Sequence, residues 1–162
     1  MALKIDMSKS YDRVEWELLK QMMARMGFDE RWIRLIMNCI NTISYLVVLK
    51  DMVEKKFIPK RGLCQGDHLN PFLFLICSEG LSTLLRITRE EGLLRGVKTS
   101  RRSPQITHFL FADDCILFGE ASEKGTEIFK KVLKEYESCS GQCVNYGKST
   151  VFFSSNTNDM VQ

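Results

Sequence analysis

The chain has 162 residues, of which 44% are hydrophobic and 27% charged, with a formal net charge of +3. This length suits one domain that buries about two-thirds of its unfolded surface, and the composition excludes a low-complexity or disordered chain. The slight basic excess neither demands nor excludes a nucleic-acid partner, because a basic groove can be local. The six cysteines form no CxxC pair, so reduced thiols are expected rather than a disulfide framework. Cys39, Cys77 and Cys115 sit in apolar runs, where a thiol serves as a small hydrophobe. A zinc set of Cys64, His68, Cys139 and Cys143 is the alternative, although it has no finger or ribbon spacing. Charge at Lys4, Asp6 and Lys9 comes too early for a signal peptide. The longest apolar run, residues 72–77, falls short of a membrane span. A cytoplasmic or nuclear location without membrane insertion is the expectation.

In chain order, residues 3–5 read as a strand running into Asp6. A helix follows, with Asp12 and Glu15 as a capping box. Its apolar face is Trp16, Leu19, Met22, Met23 and Met26, and Gly27 stops it. A second helix over 30–41 shows a stripe of Trp32, Ile33, Ile36, Met37 and Ile40. Residues 44–49 and 53–58 are strand formers around Lys50-Asp51, which predicts a hairpin. After a loop over 59–67, Asn70-Pro71 opens a long helix, a capping side chain followed by proline, and Gly92 ends it. The basic stretch 92–104 reads as a short strand and a loop. Two apolar arms, 106–111 and 115–118, then meet at Asp113-Asp114. Ser122 starts a helix whose face is Ile128, Phe129, Val132, Leu133 and Tyr136, and Gly141 ends it. Residues 144–153 predict a last hairpin, and 154–162 a frayed polar tail. Without regular βαβ alternation, this order predicts an α+β fold.

Asp113-Asp114 is the most informative pair. Two adjacent carboxylates between apolar arms repel, and each requires water or a cation. An ordinary acidic turn is one reading. Asp6, which ends a second apolar strand, favours another. Carboxylates brought to one sheet end from distant parts of the chain suit two Mg2+ ions, or Mn2+. Two such ions clamp an in-line phosphoryl displacement.

The stretch Lys4 to Val14 resembles the first palm motif of plant non-LTR (LINE-type) retrotransposon reverse transcriptases. Arg61 to Pro71 resembles their second motif, and Phe111 to Asp114 their acidic box. Ser140-Gly141-Gln142, Val144-Asn145 and Lys148-Ser149 are similar to the segment that follows it. Four motifs in order span nearly the whole chain. The resemblance implies an RNA-directed DNA polymerase palm over 1–153, an antiparallel sheet packed against helices. It implies Asp6 and Asp113 as metal ligands and Asp114 as the accompanying carboxylate. Tyr11 matches the aromatic beside the nucleotide sugar, with a core aromatic as the other reading. Arg61, Gln65 and Gly66 match positions beside nucleotide and template, with glycine admitting close backbone approach. Lys148 matches a group that neutralises pyrophosphate, with a solvated lysine as the other reading. Asp12 and Glu15 read as caps rather than ligands. The partners implied are an RNA template, a DNA primer and a deoxynucleoside triphosphate.

Some positions depart from the family pattern: Cys64 replaces a basic residue, His68 a proline and Asn70 a serine, with milder changes of phenylalanine to Tyr11 and alanine to Ser10. Losing a cation near the template path weakens phosphate contact, and the set is compatible with drift. The resemblance implies fingers and thumb regions on either side of these motifs, and the expectation is a palm that lacks both. The expectation is a fragment inactive on its own, because catalysis by positioning requires the substrates to be gripped. Self-association through uncovered palm surfaces is also expected. A second class of function is non-catalytic: short palm-only chains also resemble a protein grouped with oomycete RxLR effectors. Such a protein would be secreted by a pathogen and act on a host plant protein to suppress defence-related cell death. Residues 31–34 and 86–91 only approximate the motif of that class.

Overall fold

The computed structural model describes residues 1–46, 48–49, 52–53, 56–64, 66–111 and 114–154. Strand β1 (Ala2–Ile5) is followed by a 3-10 turn at Tyr11–Arg13 and helices α1 (Trp16–Arg25) and α2 (Glu30–Asn41). The pair β2 (Val48–Leu49) and β3 (Met52–Val53) comes next, then α3 (Asn70–Glu90). The chain continues through β4 (His108–Phe111), β5 (Asp114–Phe118), α4 (Glu123–Ser140) and β6 (Thr150–Phe152). This is the α+β architecture expected from the element order.

The main sheet has the order β4-β5-β1-β6, and its neighbouring strands are antiparallel. Alternation along the strands divides its two faces. Ile5, Cys115 and Leu117 point into a core completed by Leu81 and Leu85 of α3 and by Phe129, Val132, Leu133 and Tyr136 of α4. The opposite face carries Lys4, Ile116 and Phe109, which are register partners across three strands. A second core gathers Leu19 and Met23 of α1, Ile33 and Ile40 of α2, and Leu73, Phe74 and Cys77 of α3. Helix α3 therefore serves both cores from successive stretches of one rod. An 18-residue window within its 21 residues has a mean hydropathy of 1.3, long and apolar enough to cross a membrane by length and composition. Its buried residues, among them Leu73, Phe74, Cys77, Leu81 and Leu85, pack into the two cores.

Several expectations are corrected. Asp12 caps nothing: it lies in the 3-10 turn, and α1 begins behind Glu15 with no side-chain cap. Asn70 does not cap α3 either. Leu69 holds the cap position, and the Asn70 amide turns inward to donate to the Cys64 carbonyl at 2.7 Å. Trp32 leaves the α2 stripe and is 62% exposed. Ile33 and Ile40, seven residues apart on one face of α2, are the residues it buries, and the indole at the adjacent angle lies outward. Met26 is likewise exposed. Residues 144–153 form no hairpin of their own. Val144 bridges Met7, and β6 pairs with β1, because strand edges near the N-terminus take up both. Cys39 is exposed, whereas burial pushes the Cys77 and Cys115 thiols up to about 12. The β2–β3 hairpin does form, extended by a Tyr45–Phe57 bridge; its turn residues Lys50 and Asp51 lie outside the described residues, as does most of the polar tail.

Leu19 is fully buried, so Leu19→Ala should cost about 2–5 kcal/mol in urea unfolding. Trp32→Ala, on the exposed side of α2, should change stability by less than about 1 kcal/mol. Burial lowers the His108 imidazole below its ordinary range; Glu79 opposes this shift and Arg89 adds to it. Its ring nitrogens meet Thr107 Oγ1 at 2.9 Å and Ser82 Oγ at 3.0 Å, tying β4 to α3. The folded state thus holds His108 neutral where the unfolded chain takes up a proton. Its contribution is complete above the ordinary value of about 6.5 and is lost as pH falls below it. Melting temperatures between pH 7.5 and 5 should decline, with a shallower slope in His108→Gln.

Candidate active site

The last β1–β5 pair is Ile5 with Cys115. One step beyond that pair stand Asp6, just past the end of β1, and Asp114, the first residue of β5, so the register leads both acids to the same end of the sheet. Cross-strand neighbours lie roughly 5 Å apart. Both fall on the face shared by Lys4 and Ile116, away from the α3–α4 core. Lys4 Nζ reaches Asp114 Oδ1 at 3.3 Å. Both side chains are about half exposed, so this pair contributes at most about 1 kcal/mol. Its local consequence is larger: a cation arriving at Asp114 must share its carboxylate with an ammonium already there. Sequence reasoning passed over Lys4, although its period-two relation to Asp6 was the available signal.

Asp6 is fixed through its backbone. Its N–H donates to Ser149 Oγ at 3.2 Å, and its carbonyl accepts from Asn145 N–H at 2.8 Å. The turn over 145–149 therefore lies against Asp6. Lys148 belongs to that turn, its side chain exposed and its N–H bonded to the Asn145 carbonyl at 3.1 Å. Further along, the Ser8 N–H donates to the Cys143 carbonyl at 2.8 Å and the Glu15 N–H to the Ser140 carbonyl at 3.2 Å. Buried Gln142 donates from Nε2 to the Ser10 carbonyl at 2.7 Å. Glu137 accepts from the Val144 N–H at 2.6 Å, joining the end of α4 to the same strip. The segment after α4 thus clasps residues 6–15 from end to end.

The second motif docks on the first from the other side. The Gly62 N–H donates to the Val14 carbonyl and the Leu63 N–H to the Tyr11 carbonyl, both at 2.8 Å. Gly62, at φ +89°, is the glycine that close approach requires, since a Cβ there would stand 2.7 Å from the Asp12 carbonyl oxygen. Gly66 has φ +99° but open space around it, so its backbone angle, and not a close contact, asks for glycine. Arg61 is exposed and meets Glu15 Oε1 at 3.4 Å. Tyr11 stacks on Phe74 at 4.6 Å and stays partly exposed, which is compatible with both of its readings. A cleft of about 330 Å³ is lined by Asp12, Tyr45, Phe57, Arg61 and Cys64 among others. Hydrogen bonding toward the Cys64 side chain, with burial, pushes the Tyr45 hydroxyl up to about 12.

Asp113 and Gln65 lie outside the described residues. Among the described residues, no group of three or more His, Cys, Asp or Glu is arranged to hold a metal, so the set Cys64, His68, Cys139 and Cys143 is not assembled. Asp6 and Asp114 are nonetheless hard oxygen donors on one sheet face, the chemistry that a magnesium or manganese ion selects. Gln142 clamps the strip that follows Asp6, so Gln142→Leu should cost about 1–3 kcal/mol in chemical denaturation by leaving the buried Ser10 carbonyl unpaired.

Similarities to known proteins bear on the family and the fold. Over 69 residues, 43% of the chain, it is 55% identical to an uncharacterized mitochondrial protein of Arabidopsis thaliana, covering 57% of that protein. Over 115 residues, 71% of the chain, it is 26% identical to the retrovirus-related Pol polyprotein from type-1 retrotransposable element R2 of Popillia japonica, covering 18% of it. The chain thus spans well under two-thirds of the length of these relatives. The fold matches apo telomerase from Candida tropicalis, truncated from its C-terminal domain, with a TM-score of 0.68 at 18% identity, over 92% of this chain and 30% of that one. It also matches telomerase from Candida albicans in complex with a fragment of telomeric RNA, with a TM-score of 0.67 at 14% identity, over 97% of this chain and 28% of that one. The family model for reverse transcriptase (RNA-dependent DNA polymerase) matches residues 1–160, and the chain belongs to the reverse transcriptase family.

Proposed function

We infer that this chain supplies the catalytic palm of an RNA-directed DNA polymerase of the non-LTR retrotransposon type. The observation that carries the reading is the register of β1 against β5, whose last pair, Ile5 with Cys115, leads directly to Asp6 and Asp114 at one end of the sheet. Asp6, Asp113 and Asp114 would hold two magnesium or manganese ions. Bound there, such ions neutralise charge on the triphosphate and lower the pKa of the primer hydroxyl. Tyr11, anchored on Phe74, limits room at the sugar. Arg61, Gln65 and Gly66 border the nucleotide and template, and Lys148, on the turn beside Asp6, offers charge to departing pyrophosphate. The partners are an RNA template, a DNA primer and deoxynucleoside triphosphates.

Two measurements test this. Mn2+ binding, followed by electron paramagnetic resonance, should weaken at least tenfold in Asp6→Asn and in Asp113→Asn. Extension of a DNA primer on an RNA template with Mg2+ or Mn2+ should fall at least 100-fold in the same variants. Equal Mn2+ affinity in wild type and both variants, or extension that survives them, overturns the reading.

A further inference from the structure

From Gly92 to Ala112 the sequence holds Arg95, Lys98, Arg101 and Arg102 and no Asp or Glu. Removing these four from the 23 Lys and Arg leaves 19 cations against 20 acids, so the other 141 residues carry a net charge of −1. The whole positive excess of the chain therefore resides in one segment.

That segment is built, not loose. Val97 and Ile106 pair antiparallel through two backbone hydrogen bonds of 2.9 Å, forming a narrow ribbon. Gly96 lets its arms close, because a Cβ there would collide with the Ile106 carbonyl oxygen. The tip is a turn over Ser100–Ser103. Ser103 donates from its N–H at 3.2 Å and from Oγ at 2.9 Å to the Ser100 carbonyl, and Oγ accepts from the Ser100 N–H at 3.0 Å. Arg101 and Arg102 occupy the centre of this turn, with Lys98 two residues before it, and all three are exposed. None of the three pairs with a carboxylate among the described residues, whereas Arg95 meets Glu120 Oε1 at 3.4 Å.

Holding like charges together on a pinned turn, with no acid among them, raises the local potential and favours a polyanion. Guanidinium forks match phosphate oxygens in pairs, so an exposed turn carrying two of them suits a phosphate backbone. The ribbon feeds β4 at the end opposite Asp114. Ile106 and Phe111 are five residues apart, about 17 Å at the strand rise, so the tip stands well away from the acidic edge.

We propose that the Lys98–Arg102 ribbon tip is a docking surface for the phosphate backbone of a nucleic acid, separate from the Asp6–Asp114 edge. The proposal rests on the functional reading above only in taking the partner to be nucleic acid. The test is fluorescence anisotropy of a labelled RNA–DNA hybrid duplex at several salt concentrations. The triple variant Lys98→Gln, Arg101→Gln, Arg102→Gln should bind at least tenfold more weakly at low salt. Its slope of log affinity against log salt should shrink by roughly 0.7–0.9 per cation removed. Lys130→Gln, Lys131→Gln, Lys134→Gln removes equal charge from the exposed face of α4 and should cost much less. Arg101→Lys, Arg102→Lys should retain most of the binding. No binding by wild type, an unchanged slope in the tip variant, or equal losses in the two triple variants overturns the proposal. Tip-dependent binding that persists while extension and Mn2+ binding ignore Asp6→Asn rejects the catalytic reading and supports this one.

Discussion

The structure depends on β1 being held on both sides by strands from the far end of the chain. Its partners β5 and β6 begin more than 100 residues later, so the sheet closes only after a long loop-closure cost has been met. The return is that Asp6 is fixed from two directions. The β5 register sets its distance from Asp114, and the 145–149 turn grips its backbone. A one-residue slip of β1 would turn Ile5 outward and Asp6 into the α3–α4 core, where a carboxylate is far too costly to bury. Core burial and the acidic edge are therefore two consequences of one register.

Helix α3 carries the same logic to the second motif. Its first turns pack with α1 and α2, and its later turns lie under the sheet. The loop that precedes it is pinned to residues 11–14 through Gly62 and Leu63. The departures from the family pattern meet one another here. Asn70 donates to the Cys64 carbonyl, so two positions that looked independent in sequence meet through one hydrogen bond. The acid-free segment 92–112 of the sequence is where the chain concentrates its positive charge.

Lys4 adds a further constraint on the acidic edge. An ammonium beside Asp114 offsets carboxylate repulsion when no other cation is near. The pair is exposed enough to exchange readily, so it leaves Asp114 open to another cation.

Sequence alone determined the element order, the α+β class, the two apolar arms around Asp113-Asp114 and the motif set that resembles a reverse transcriptase. Period and punctuation are local properties: Ser122 and Gly141 bound α4 because capping and left-handed backbone are settled within a turn. Tertiary structure decided the rest. It turned Asn70 inward, left Trp32 in solvent, drew residues 144 and 150–152 onto the N-terminal strand, and made Gly62 the close-contact glycine. Each of these depends on what stands across a gap from the residue. A propensity or a period carries no information about a neighbour that arrives 50 or 140 positions later.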